Sequence, residues 1–409
     1  MRSEQLTEVD ASLLQAKQQA AVENWLEVTH YLQSSLIFAA KSEFQQASRQ
    51  QQDLAIELAL ATLVRGDFQQ KWDITKIFSM IGIDIVAPLI ELLESKVIDS
   101  ETKWFAARTL GDFKEQKVVI ALAKLLQKAQ DDELVAIAAK SLVKIGNPAI
   151  KILIDLLEYP DSRLVAAKSL AHIRLLPALP TLLELVTDPN PEIRYLAIEA
   201  LGSFHHEQVP AILIQALQDT HSTVRKEAVI ALGFCSDLCQ KLDLVNHLEP
   251  LLYDFNQEVC RQTAVSLARM NDAVAVKALA QALRSQNTPL GLKLYLVKAL
   301  AWSELALALD YLQDALQTES NLVCQEILVV LGRIHSPELK TLAITILLNF
   351  WHHSLDKPIE LNHKKALATA LGELSAVEGK AILEQLAQDR SKMVQLYAVS
   401  SLKKLSGKN

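Results

Sequence analysis

Residues 188–202 read DPNPEIRYLAIEALG, and residues 219–233 read DTHSTVRKEAVIALG. In the first, Ile193, Ala197, Ala200 and Leu201, together with Phe204 just beyond it, fall at helical spacing on one face. In the second, Ala228, Ala231 and Leu232 occupy the slots of Ala197, Ala200 and Leu201. Between the two stretches, Ile212, Leu213, Ala216 and Leu217 form a shorter apolar stripe that ends at Gln218-Asp219. One unit is therefore a longer helix, a shorter helix and a restart.

The unit extends in both directions. An anchor in the phase of Leu201 recurs as Phe78, Leu110, Leu142, Leu170, Leu201, Leu232, Leu267, Leu300, Leu331, Leu371 and Leu402, at intervals of 28 to 40 residues. A period of this size is the signature of stacked helical hairpins, each too small to bury its apolar side alone. The expected fold is all-α, an alpha-solenoid of about ten to eleven hairpins over residues 69–409, preceded by an N-terminal helical cap or docking segment over residues 1–68. Composition agrees: hydrophobic residues make up 50% of the chain but aromatics only 5%, and there are just 11 Gly and 12 Pro.

Each unit starts with a chemical signal. Asn190 is placed to cap exposed amides, Pro191 sits at the first helical position where its missing N–H costs nothing, and Glu192 favours the positive end of the helix dipole. Small residues at Ala107, Ala139, Ala167, Ala197 and Ala228 let helices approach. Glycine follows the anchor at Gly111, Gly202, Gly233, Gly332 and Gly372, and since glycine inside a helix costs about 1 kcal/mol relative to alanine, five in one phase predict a crowded crossing near the inter-helix turn.

The A-x-x-A-L-G pattern and the D-x-x-x-x-V/I-R start, in Asp188–Gly202 and Asp219–Gly233, resemble HEAT repeats, particularly the short bacterial variety also found in the phycobilin lyases of cyanobacteria. The resemblance covers roughly residues 70 to 409. It implies the solenoid fold, and a range of roles that includes scaffolds, adaptors, chaperones and a few enzymes. That family tends to place a basic residue seven before the anchor. Here the slot holds Lys71, Lys103, Val135, Arg163, Arg194, Arg225, Cys260, Lys293, Cys324, Lys364 and Gln395. With Asp161, Asp188 and Asp219 nearby, the expectation is a ladder in which each cation bonds the turn and carboxylate of adjacent units. The alternative is a positive strip for an acidic partner. The two cysteines in the slot mark units without that bridge.

Two irregular units hold the other candidates. The interval of 40 residues before Leu371 carries Trp351-His352-His353, read as an extended helix or loop, or as a partner contact. Adjacent histidines point about 100° apart on a helix and make a poor metal pair. The interval of 35 residues holds Cys235-Ser236-Asp237-Leu238-Cys239, whose thiols are expected to be small buried hydrophobes rather than a zinc or adduct site. Residues 1–68 are glutamine-rich. Two or three amphipathic helices are expected there, one across Ala11–Leu32 with Ala21, Trp25, Val28 and Leu32 on its apolar face, and one across Gln50–Val64.

A net charge of -7 gives no general attraction for polyphosphate, so nucleic acid is not an expected partner. The start of the chain is polar and no apolar run is long enough to span a bilayer, so a cytoplasmic protein without membrane insertion is expected. Four cysteines do not make a secreted disulfide framework. G-x-S-x-G, Walker, G-x-G-x-x-G and H-E-x-x-H patterns are absent, which favours a non-catalytic function without metal or cofactor. Two readings remain. The first is a scaffold or adaptor that binds another protein along a concave surface lined by second helices, with Trp351, His352 and His353 as candidate contacts. The second, which the resemblance implies, is a bilin lyase or chromophore-handling chaperone for phycobiliproteins. In that case bilin is the cofactor, and Arg261, Arg269, Lys277 and Arg284 are candidates to meet its propionates.

Overall fold

The computed structural model describes residues 2–38, 48–353 and 359–407, and every regular element among them is helical. The chain divides into two compact units, residues 1–201 and 202–409. In the first, the helices Ser100–Leu110, Asp132–Ile145, Pro160–Ile173 and Pro191–Leu201 pack side by side in sequence order. Behind them Val86–Glu94, Gln116–Lys128 and Asn147–Leu156 form a second row. The other unit repeats the plan. Its first row is Ser222–Gly233, Gln257–Arg269, Leu290–Trp302, Asn321–Leu331, Leu361–Glu373 and Lys392–Leu405, and its second row includes Ala273–Arg284, Ala306–Thr318 and Pro337–His353.

The core of each unit lies between the rows. All the anchors from Phe78 to Leu371 are at most 1% exposed, while Leu402 in the last helix is half-buried. Burying one such side chain contributes about 1.5–3 kcal/mol. No hairpin has a core of its own, so each depends on its neighbours for this stabilisation. The starts follow the expected chemistry. Asn190 accepts from the Glu192 amide at 2.9 Å, and Asp188 accepts from the Asn190 amide at 2.8 Å. Asp254, Asn256 and Glu258 repeat the device with the same two distances.

The crowded crossing is present, and it faces the next first helix rather than the turn. A Cβ on Gly233 would lie 2.8 Å from the Ser266 Cβ, and one on Gly332 would lie 2.6 Å from the Ala370 Cα. Ser141 and Ser401 stand in the same way against Gly111 and Gly372. In each case the partner immediately precedes the next anchor, so the close approach pairs glycine with that residue. Ala139, expected to be a close-approach position, is only half-buried, and Ala138 beside it is 0% exposed.

Near the N-terminus one expected helix is two. Arg2–Ala21 ends, Glu23 takes a positive φ of 57°, and Trp25–Phe38 begins. Ala21 is exposed at that turn, while Trp25, Val28 and Leu32 are buried as expected. These helices pack on Arg49–Arg65, whose start at Ser48 is a capping box with Gln51. The other irregular stretches resolve locally. Pro337–His353 runs straight through the extra sequence as far as His353, and Ser354–Pro358 lie outside the described residues. Cys235–Cys239 spans a short 3-10 turn rather than an α-helix. Cys239 is buried, with its Sγ 3.6 Å from the Met270 Sδ.

Candidate functional site

In nine of the eleven repeats, all but those of Lys103 and Val135, the slot seven residues before the anchor is spent on the structure. Arg194 donates from Nη1 to the Asp188 carbonyl at 2.9 Å, and Arg225 to the Asp219 carbonyl at 2.8 Å, in each case six residues back. The same side chains, or their equivalents, then reach the following repeat. Arg225 makes a two-point pair with Asp254 at 2.7 and 2.8 Å, and Arg163 grips Asp188 through Nε and Nη2. Lys71 meets Glu101, Lys293 meets Glu319 and Lys364 meets Asp389, at 2.6 to 2.7 Å. Asp188 is thus a ladder carboxylate, Asp219 contributes its carbonyl, and Asp161 is exposed. Sequence reading missed Glu101, Asp254, Glu319 and Asp389, because the bridging acid lies 25 to 30 residues downstream of its cation.

Where cysteine replaces the cation, half of the device survives. The Cys260 thiol keeps the bond to the carbonyl six residues back, 3.1 Å from the Asp254 oxygen, and Gln395 does the same toward Asp389 at 2.7 Å. Cys324 lies 3.5 Å from two carbonyls. Burial, with the Glu319 charge beside it, pushes this thiol up to about 11. Burial also raises Cys260, Cys235 and Cys239, so all four thiols hold their protons at neutral pH.

The residues singled out in the sequence divide between the rows. Arg261 and Arg269 lie on the outward face of the first helix Gln257–Arg269. Lys277 and Arg284 lie on the second helix Ala273–Arg284, where Lys277 is exposed and Arg284 pairs with Asp314 at 2.9 Å. Trp351 is buried at 9% exposure. His352 and His353 are exposed beside it, with the His353 Nδ1 2.8 Å from the Asn349 carbonyl. The arginines have partners the sequence did not suggest. Arg269 lies over the Phe234 ring at 4.7 Å, Arg261 over the Tyr295 ring at 4.7 Å, and Arg284 over Tyr311 at 5.1 Å. Phe234 is 67% exposed, Tyr295 36% and Trp302 58%. The signal that would have found this row is the position two after the anchor. It reads Phe234, Arg269, Trp302 and Arg333 in four successive repeats.

Three overlapping segments, residues 86–174, 153–233 and 178–266, match the model of HEAT repeats. Residues 86–266 are HEAT repeats. A curated relative, the bilin biosynthesis protein MpeU of Synechococcus sp. (strain WH8020), is 32% identical over 106 residues. That match takes in 25% of this chain and 35% of the relative, so the chain spans about a third of the length of the relative it matches. Among solved structures, a mutant of Kap121p is 14% identical with a TM-score of 0.49, over 98% of this chain and 52% of that one. Importin beta is 13% identical with a TM-score of 0.49, over 94% of this chain and 60% of that one. Among the described residues no helix is long and apolar enough to cross a membrane, and no group of three or more His, Cys, Asp or Glu is placed to hold a metal ion.

The ring row continues beyond the matched HEAT repeats into a depression on the same outward face. Between the helices Asn321–Leu331 and Leu361–Glu373 lies a cavity of about 310 Å³, floored by Gly332 and Ala370 at their close crossing. Val329, Ala366 and Leu374 supply apolar walls, and Arg333, His335 and Lys340 stand around it. Its carboxylate, Glu373, is paired with Lys404.

Proposed function

We propose that this chain is a non-catalytic scaffold that binds another protein. The observation that carries the reading is the outward face of the first helices between residues 222 and 333. There Phe234, Tyr295 and Trp302 are exposed, and Arg261 and Arg269 are already laid on two of the rings. Tyr, Trp and Arg are the residues that dominate interface energetics, because a ring or a guanidinium buries a large area at low entropy cost. Stacked arginines are also pre-organised, so less order is lost when a partner docks. This assigns docking to the first-helix row, whereas the sequence suggested the second. The test is cross-linking mass spectrometry of the tagged chain from its native cell, beside the double variant Phe234→Ala, Trp302→Ala. A partner captured by the native chain and lost by the variant supports the reading. Capture of nothing above background, or equal capture by both, sinks it.

The bilin biosynthesis relative favours a second reading, that the chain handles a linear tetrapyrrole. Arg261, Arg269, Lys277 and Arg284 would have to meet the propionates, yet they fall two on each helix of one repeat, and Arg284 is held by Asp314. Mixing the protein with bilin and recording the visible spectrum decides it. A red shift with induced dichroism supports this second reading, and an unchanged spectrum removes it.

A further inference from the structure

The depression at the Gly332–Ala370 crossing combines three features. Arg333, His335 and Lys340 converge on it. No hydrogen bond or ion pair joins their side chains to another described residue, and the Glu373 carboxylate on its lining is taken by Lys404. The cavity, about 310 Å³, is at the bottom of the range of small-molecule sites, about 300–1,000 Å³. It is sized for one or two side chains rather than a large cofactor.

We propose that this pocket receives a carboxylate side chain from an acidic, extended segment of the partner protein. The inference rests on the scaffold reading and names the partner's chemistry. Charge complementarity argues for the anion. The Arg333 guanidinium and the Lys340 ammonium make no ion pair with another described residue, whereas the ladder cations Arg225, Lys293 and Lys364 are each matched to an acid. Continuity argues for a polypeptide. Arg333 is the fourth member of the Phe234, Arg269, Trp302 row, one step per repeat, and neighbouring helices lie about 8–10 Å apart. A polyproline II segment rises about 3.1 Å per residue with three residues per turn. A segment of that kind crossing the repeats presents side chains i and i+3 to successive members, an apolar one at Trp302 and an acid at Arg333 and Lys340. The apolar walls Val329 and Leu374 suit the methylenes of glutamate behind its carboxylate.

The probe is a short fluorescein-labelled peptide carrying leucine and glutamate three residues apart, titrated into the full chain by anisotropy beside its glutamine counterpart. The glutamate peptide should bind, and the glutamine peptide should bind about tenfold more weakly. Arg333→Glu and Lys340→Glu should each weaken the glutamate peptide by a similar factor. Lys151→Glu, an equal change of net charge at an exposed position of the second-row helix Asn147–Leu156, should leave it unchanged. Equal binding of the two peptides, no binding, or equal loss in Lys151→Glu overturns the proposal. Tighter binding of a phosphoserine peptide reassigns the pocket to phosphate and also overturns it. If the native partner is still captured by Arg333→Glu at full yield, the pocket inference fails while the scaffold reading stands. If the glutamate peptide binds as expected but no cellular partner is found, the scaffold reading fails by itself.

Discussion

Arg225 shows how one side chain ties a helix start to the next repeat. Its Nη1 closes the turn at Asp219, while Nε and Nη2 hold Asp254, and the two side chains are only 15% and 8% exposed. Removing one partner of a buried pair leaves the other charge uncompensated, so Arg225→Leu should cost about 3 kcal/mol at neutral pH, read from the urea midpoint. The pH profile identifies the cause. Burial pushes the Asp254 carboxyl up, but the Arg225 hydrogen bonds and charge, with the Asn256 amide, outweigh it and hold the group below the usual carboxylate range. A carboxylate depressed in the folded state contributes fully above its unfolded pKa of about 3.9, and that contribution is lost as pH falls through the folded value. The gap between native chain and variant should therefore be widest at neutral pH and close in acid. A gap independent of pH would mean that Arg225 acts by packing alone.

At the level of the helix, the glycine after each anchor sets how near two first helices come. Gly233→Ala would drive a Cβ into Ser266, whose hydroxyl donates to the Val229 carbonyl at 2.9 Å across the same crossing. Overpacking of this kind costs about 1–3 kcal/mol, against the roughly 1 kcal/mol that alanine gains over glycine in a helix. A net loss therefore measures the crowding. Gly291→Ala is the control, because nothing lies within 4 Å of its Cβ, and it should stabilise the chain by up to about 1 kcal/mol. Equal thermal shifts for the two would remove the crossing argument. The sequence announced this feature through five glycines in one phase, since a propensity cost repeated at one position has a reason. It did not announce what they touch. The serine or alanine partner sits a whole repeat away, and periodicity within one chain segment does not name a neighbour in space.

Across the whole chain, the hairpin plan was legible because burial at period 3.6 and a repeat near 31 residues are both one-dimensional signals. The proposed docking face was not. Phe234 and Trp302 break no pattern as letters, and they matter only once helix ends are placed and the position two after each anchor is seen to face outward. Trp351 invited attention as a rare ring in an insertion, yet it is buried. The prediction at this scale concerns locality. Leu142→Ala should cost about 2–5 kcal/mol, and amide exchange should rise most in the helices touching Asp132–Ile145, far less beyond them. A uniform rise along residues 1–201 would contradict nearest-neighbour stacking. The ladder has a mechanical corollary. Its cross-links join positions only 25 to 30 residues apart, from Arg163–Asp188 and Lys364–Asp389 to Lys71–Glu101, so tension applied at the two ends loads them in series. Stretched in an optical trap, the chain should yield in a sawtooth, each tooth paying out one hairpin of roughly 100 Å of contour, and it should rewind when slackened.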